Sequence, residues 1–168
     1  MSDQKNAIVI VRAAQDDLAA ILALQKCAFV SEAEIYGACC VAPLSQTIDE
    51  IRDEFATKTF LKALRGSALI GSVRASDENG VVHIEKLIVH PDCQNQGVGR
   101  RLMQAVEAAF PQARIFRLMT GHKSLKNIQL YQKLGYHISR SEKISDTIFF
   151  VHMEKGAGAD PGSASQGI

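Results

Sequence analysis

Val82 to Leu102 reads VHIEKLIVHPDCQNQGVGRRL, and the order of signals in this stretch decides the fold. Its first part, to His90, is aliphatic and β-branched, the composition of a strand, and Pro91 ends it because proline has no amide hydrogen for a ladder. A polar loop follows, Gln94-Asn95-Gln96-Gly97-Val98-Gly99. Val98, Leu102, Val106, Ala109 and Phe110 then recur at helical spacing until Pro111. Strand, glycine loop and helix N-terminus in that order make an anion site: glycines admit close backbone approach, and the first helical amides and the positive end of the dipole point at the guest. Arg100 and Arg101 add positive charge at the same end, a placement that makes better sense with an anion bound. Phosphate is the natural occupant.

Outward from this stretch the chain alternates strands and helices irregularly. Ile8 to Arg12 is a short buried strand. Asp16 and Asp17 open a helix whose stripe, Leu18, Ile21, Leu22, Ala28 and Phe29, runs to about Val30. Ser31 to Ser45, with Tyr36, Gly37, Cys39, Cys40 and Pro43, has no clean period and reads as a loop or a broken helix. Thr47 to Glu50 is a capping box that starts a second short helix carrying Ile48, Ile51 and Phe55. Thr59 to Leu64, Ala68 to Ala75 and Val82 to His90 form an antiparallel meander, turned at Gly66 and at Asp77 to Gly80. After the glycine-loop helix come a strand at Arg114 to Thr120 and a helix from Leu125 to Leu134, capped by Ser124 and ended by Gly135. A closing hairpin follows at Tyr136 to Ser141 and Thr147 to Met153. The fold class is α+β, a mixed, mostly antiparallel sheet of about seven strands flanked by helices.

Composition narrows the function. The 168 residues fit one domain, since domains run about 100 to 200 residues. We read residues 1–155 as that domain and residues 156–168, rich in glycine, alanine and serine, as a disordered tail. A net charge of +1 excludes a broad basic field for a polyanion or an anionic membrane, so neither nucleic acid nor membrane is an expected partner. No apolar run approaches the roughly 18 residues needed to span a bilayer, and Ala7 to Val11 is too short for a signal peptide. A cytoplasmic protein is expected. Cys27, Cys39, Cys40 and Cys93 form no CxxC pair and the histidines no HExxH, so no metal is expected; Cys93, beside the glycine loop, is the thiol to watch.

Competing glycine motifs fail. A dinucleotide fingerprint needs glycine where Leu102 stands and an acidic residue about 20 positions on, where Met119 stands. Gly66 to Gly71 has the spacing of a nucleotide-triphosphate loop, but Ser72 occupies the lysine position and the segment lies in the meander.

With these motifs in hand, the chain resembles the GNAT superfamily of acyl-CoA-dependent N-acetyltransferases. Gln94-x-x-Gly97-x-Gly99 is similar to that family's Arg/Gln-x-x-Gly-x-Gly/Ala pyrophosphate loop, placed after a strand ending in Val89-His90-Pro91. Asn127-Ile-Gln-Leu-Tyr131-Gln-Lys-Leu-Gly135-Tyr136 resembles its second block, matching at Asn127, Leu130 or Tyr131, Gly135 and an aromatic, with a shorter spacing than the family's pattern. The resemblance covers about Ile8 to Lys155. It implies a three-layer fold in which the strand before the loop splays from its neighbour at a bulge. It implies that acetyl-CoA is the co-substrate. The pantetheine would bond the backbone of Leu87, Ile88 and Val89. The pyrophosphate would be wrapped by Gln94, Asn95, Gln96, Gly97, Val98, Gly99 and Arg100, with Arg101 a weaker candidate. Asn127 and Tyr131, four residues apart on one helix face, would point at the pantetheine and its sulfur.

The chemistry implied is acetyl transfer to a primary amine by direct attack within a ternary complex. Tyr131 stands at the family's acid position, where a phenol can protonate the departing thiolate. Glu85 stands where several members carry a basic carboxylate, acting directly or through water, and His83, two residues away on the strand, shares or replaces that role. A packed Tyr131 and a solvated strand face for Glu85 and His83 are the plain structural alternatives. The acceptor, a small amine or a protein N-terminus or lysine, would sit near Val30 to Ser45 and Ser139 to Thr147, with Glu34 and Tyr36 within the first segment. Homodimers are frequent among relatives, and the closing hairpin is a place for exchange. The other function class left open is a non-catalytic acyl-CoA-binding or protein-interaction module on the same fold.

Overall fold

The computed structural model describes residues 6–37 and 41–158, and its helices and strands follow the expected order, with β3 and β7 each running three residues past the expected end. Seven strands form one sheet in the order β1-β2-β3-β4-β5-β7-β6: β1 Ile8–Arg12, β2 Thr59–Arg65, β3 Ala68–Glu78, β4 Val81–Val89, β5 Ile115–Gly121, β6 His137–Lys143 and β7 Phe149–Gly156. The β4–β5 pair is parallel, and β1–β2, β2–β3, β5–β7 and β6–β7 are antiparallel or joined as hairpins, so the sheet is mixed as expected. The helices are α1 Leu18–Ala28, α2 Val30–Tyr36, α3 Ile48–Thr57, α4 Val98–Ala109 and α5 Leu125–Lys133. Among the described residues no helix is long and apolar enough to cross a membrane.

The chain divides into two units, residues 1–76 with 85–109 and residues 77–84 with 110–168. In the first, Phe60 of β2 sits on Leu18, Ile21 and Leu22 of α1 and Ile51 of α3, with Phe55 edge-on at 5.4 Å. The capping box forms as read: the Glu50 amide donates to Thr47 Oγ1 at 3.3 Å and the Thr47 amide to Glu50 Oε2 at 2.7 Å. Gly66, at φ +60°, makes the β2–β3 turn. Gly71 is a packing glycine: a Cβ there would lie 2.9 Å from Leu102 Cδ1 and 3.0 Å from the Ile88 carbonyl. The glycine spacing that imitates a nucleotide loop is thus one turn and one close approach of α4 to the sheet.

The helix opened by Asp16 and Asp17 stops two residues short of Val30, and of the two readings of Ser31 to Ser45, loop or broken helix, the broken helix holds up to Tyr36. A 3₁₀ turn covers Gln15–Asp17, α1 ends at Ala28, and a separate helix, α2, takes Val30–Tyr36. Glu32, Ala33 and Glu34 are good helix formers whose propensity outweighs the missing apolar period, and Gly37 at φ +85° ends the turn. Cys39 and Cys40 lie outside the described residues.

The surprise in this unit is polar. Gln25 takes an inward position on the α1 stripe and is fully buried, beside Arg74 of β3, which is 1% exposed. The two side chains hydrogen-bond, Gln25 Nε2 donates to Gln46 Oε1 at 2.9 Å, and Arg74 Nη1 pairs with Glu54 Oε2 of α3 at 2.6 Å. The guanidinium also lies 4.6 Å from the Phe60 ring, its direct cross-strand neighbour. Burial alone would raise the Glu54 carboxyl, but hydrogen bonds and charge from Lys86 and Arg74 win and hold it down to about 2.

In the second unit, Asn79 and Gly80, both in the left-handed region, make the two-residue turn between β3 and β4. The Gly80 amide donates to Asp77 Oδ1 at 2.7 Å. Val81 to His83 pair in parallel with Ile115 to Arg117, and β7 runs along β5 from Phe150 to Gly156. Gly135, at φ +96°, ends α5, with the Tyr136 amide returning to the Tyr131 carbonyl at 3.0 Å. Ser124 stands at the α5 N-cap as expected, but its hydroxyl makes no capping bond there. Of the expected tail, Gly156 belongs to β7 and the Ala157 amide donates to the Arg114 carbonyl at 3.0 Å. Its remainder, 159–168, lies outside the described residues.

The buried pair makes acid stability predictable. Glu54 titrates near 2 in the folded chain and near 4.5 unfolded, so its stabilisation is complete above about pH 5 and is lost as pH falls toward 2. At 22% side-chain exposure the shift corresponds to about 3 kcal/mol. In urea melts from pH 7 to pH 3, Glu54→Gln should cost about 3–5 kcal/mol at pH 7, by stranding Arg74, and should flatten the acid slope. An unchanged slope would assign the acid sensitivity elsewhere.

Candidate acyl-CoA site

The glycine loop is built by backbone conformation. His90 Nδ1 accepts from the Asp92 amide at 3.2 Å and the His90 carbonyl from the Cys93 amide at 2.8 Å, which folds Pro91–Cys93 into one 3₁₀ turn. Asn95 at φ +58° and Gly97 at φ +82° are both left-handed. Asparagine tolerates that region better than other side chains, and glycine enters it without cost. Nothing lies within 4 Å of a Cβ built on Gly97, so conformation rather than space demands glycine there. The first backbone bond of α4 is Arg101 amide to Gly97 carbonyl at 3.1 Å, which leaves the amides of Val98, Gly99 and Arg100 ahead of the helical ladder.

Gln94, Asn95, Gln96, Gly97 and Arg100 are exposed, while Val98 is buried and anchors α4 with Leu102, Met103 and Val106. Arg101 is used differently from the weaker expectation: its Nη1 donates to the Ile8 carbonyl of β1 at 2.9 Å. A residue the sequence did not single out frames the loop. Arg65, the last residue of β2, donates from Nη2 to Gln96 Oε1 at 2.7 Å, and its Nη1 lies 3.9 Å from Cys93 Sγ. Gln96 Nε2 in turn donates to the Asp92 carbonyl at 3.2 Å. No local motif marks Arg65, because only the β2–β3 pairing brings it to the loop.

Leu87, Ile88 and Val89 lead directly into the loop; Ile88 is buried and the other two are half-buried. The His90 amide donates to the Ile70 carbonyl of β3 at 2.8 Å, which ties the end of β4 to its neighbour. Glu85 is exposed at the side chain and ion-paired with Lys58 at the end of α3. Lys86, at φ +49°, breaks the regular strand, and its Nζ reaches Glu54 Oε1 at 2.9 Å. The other candidates belong to the second unit. His83 Nε2 lies 3.6 Å from Glu78 Oε2. Asn127 is half-buried, and Tyr131, one turn along α5, is buried with its ring edge-on to Tyr136 at 6.1 Å.

Comparison with known proteins identifies the family. Residues 31–157 match the family described as Acetyltransferase (GNAT) domain. The chain belongs to the GNAT acetyltransferases, a family of acyl-CoA-dependent enzymes. It is similar to an N-acetyltransferase from Staphylococcus aureus Mu50, 19% identical, covering 90% of this chain and 99% of that one with a TM-score of 0.72. It is also similar to yncA from Salmonella typhimurium, solved with its cofactor acetyl-CoA, 16% identical, covering 92% and 96% with a TM-score of 0.71. At such identities these likenesses establish the fold. A curated relative, the UPF0157 protein YqkA of Bacillus subtilis, is 27% identical over 73% of this chain, which spans only 35% of that relative's length.

Gly97→Ala keeps the volume acceptable and makes the backbone costly. It should destabilise the protein by about 1–2 kcal/mol, read as a lower urea midpoint, because an L side chain at φ +82° is strained. A midpoint equal to that of the unchanged protein would show that the loop adopts another conformation.

Proposed function

We propose that residues 1–155 act as one N-acetyltransferase domain, moving an acetyl group from acetyl-CoA to a primary amine by direct attack in a ternary complex. The observation that carries this reading is the left-handed pair Asn95 and Gly97 set immediately before the leading amides of α4 in a chain of this family. A diphosphate fits that place because it needs several amide hydrogens converging on one point and no side chain in the way. Gln94 to Arg100 hold the pyrophosphate, and the backbone of Leu87, Ile88 and Val89 bonds the pantetheine as an added strand would. Asn127 serves the pantetheine from α5.

The acceptor nitrogen attacks the thioester carbonyl carbon, the C–N bond forms, and the C–S bond breaks with its electron pair leaving on sulfur. An alkyl ammonium ionises near pH 10.4, so the acceptor must first lose a proton, which goes to Glu85 directly or through water. In that role Glu85 exchanges the Lys58 ammonium for the acceptor's. Once the C–N bond has formed the nitrogen sheds its second proton to water, while Tyr131 gives its phenolic proton to the departing thiolate and regains one from water. The acceptor is a small amine or a protein N-terminus or lysine, and self-association, where it occurs, uses the closing hairpin, whose β6 is exposed along its whole length.

Two measurements test the reading. Calorimetry with coenzyme A and acetyl-CoA should give saturable binding, and a panel of amines should include one that accelerates release of free CoA thiol. Tyr131→Phe should lower kcat by about 10²-fold or more while CoA affinity stays near that of the unchanged protein. Absence of any heat with either nucleotide sinks the whole proposal. Undiminished turnover in the Phe variant removes Tyr131 from the acid role.

A further inference from the structure

We infer that Lys86 is a positioning residue: its ion pair with Glu54 holds β4 in a left-handed kink that sets the backbone of Leu87, Ile88 and Val89 for acyl-CoA. The inference rests on the proposed acetyl-CoA site and goes beyond it to the device that shapes the binding strand. Two successive residues of a regular strand point to opposite faces. Here Glu85 and Lys86 are successive, yet both side chains reach the last part of α3, Glu85 to Lys58 and Lys86 to Glu54. The backbone permits this because Lys86 sits at φ +49°, a region that a long unbranched side chain enters only when its surroundings hold it there.

What holds it is rigid. Lys86 is 20% exposed at the side chain and bonds Glu54 Oε1 at 2.9 Å. The same carboxylate is fixed by Arg74 at 2.6 Å and by Gln46 Nε2 at 2.8 Å, and Lys58 lies 3.7 Å from it. Glu54 therefore cannot follow Lys86 outward, and the pair transfers the fixed position of the Arg74 cluster onto β4. Immediately beyond the kink the strand carries the amides and carbonyls assigned to pantetheine, and the Ile88 carbonyl lies close against Gly71. Released from Glu54, residue 86 relaxes toward extended geometry and the peptide groups that follow it turn.

The test varies Lys86 alone, since Glu54 still keeps Arg74, Gln46 and Lys58 without it and the chain still folds. Lys86→Met keeps the length and removes the ammonium, Lys86→Arg restores a cation, and Lys86→Gly removes the cation but accepts φ +49° without strain. Binding of coenzyme A is followed by calorimetry, with KM for acetyl-CoA and kcat at saturation measured on the full chain. We expect Lys86→Met to weaken CoA binding and raise KM about tenfold, with kcat at saturation nearly unchanged. Arg should recover most of the affinity, and Gly should bind CoA more tightly than Met. Met binding CoA as well as the unchanged protein overturns the inference, and so does an equal loss in Met and Gly, which would mean that charge matters and backbone geometry does not. If the unchanged protein itself binds no CoA, the site proposal fails instead, and the two failures are told apart.

Discussion

A guanidinium does not shed its charge inside a protein, so a fold that buries Arg74 to 1% exposure must surround it with acceptors or lose the fold. Burial weakens its hold on the proton, and the hydrogen bond and charge of Glu54 offset only part of that loss. The first unit supplies Glu54, Gln46 and Gln25 from two helices and a connecting segment, and a ring face from Phe60. Each partner is also fixed by another: Gln25 donates to the Pro43 carbonyl and to Gln46, and Gln46 donates to Glu54. Such a network is costly to desolvate and strongly directional. A pair of apolar residues could pack α1, α3 and β3 in several rotations, whereas these hydrogen bonds admit one.

That single arrangement reaches the candidate site through two residues of β4. Glu54 of α3 and Lys58, the residue just past its end, present an anion to Lys86 and a cation to Glu85. The carboxylate proposed as base and the kink ahead of the proposed pantetheine strand are therefore both set from the same helix end. The glycine loop is organised separately, by its own left-handed residues and by Arg65, and is attached to the sheet through the buried face of α4 against Gly71. Backbone conformation shapes the end proposed for the pyrophosphate, and side-chain charge shapes the end proposed for the thioester.

Much of this was legible in the chain itself. Val82 to Leu102 announces strand, loop and helix through proline, glycine and apolar spacing, all of which act within a few residues. Thr47 and Glu50 announce a helix start because a capping box closes over three residues. The Asp77 to Gly80 turn and Gly135 declare themselves through positive φ, which few residues accept. Each is a short-range constraint, and short-range constraints survive in a one-dimensional pattern. The break at Phe29 was less legible, because α2 draws on helix propensity without an apolar stripe, and the Ser124 hydroxyl makes no capping bond although the residue stands at the N-cap.

Sequence by itself determined the order of elements, the glycine loop and the family motifs, since these depend on neighbours along the chain. Only the tertiary structure decided that Gln25, Glu54, Arg74 and Lys86 form one cluster, that Arg65 belongs to the loop, and that Arg101 belongs to β1. Their partners lie tens of residues away, as Arg65 and Gln96 or Arg101 and Ile8 do. A buried charge reads in sequence like any exposed one, because burial is a property of what folds against it.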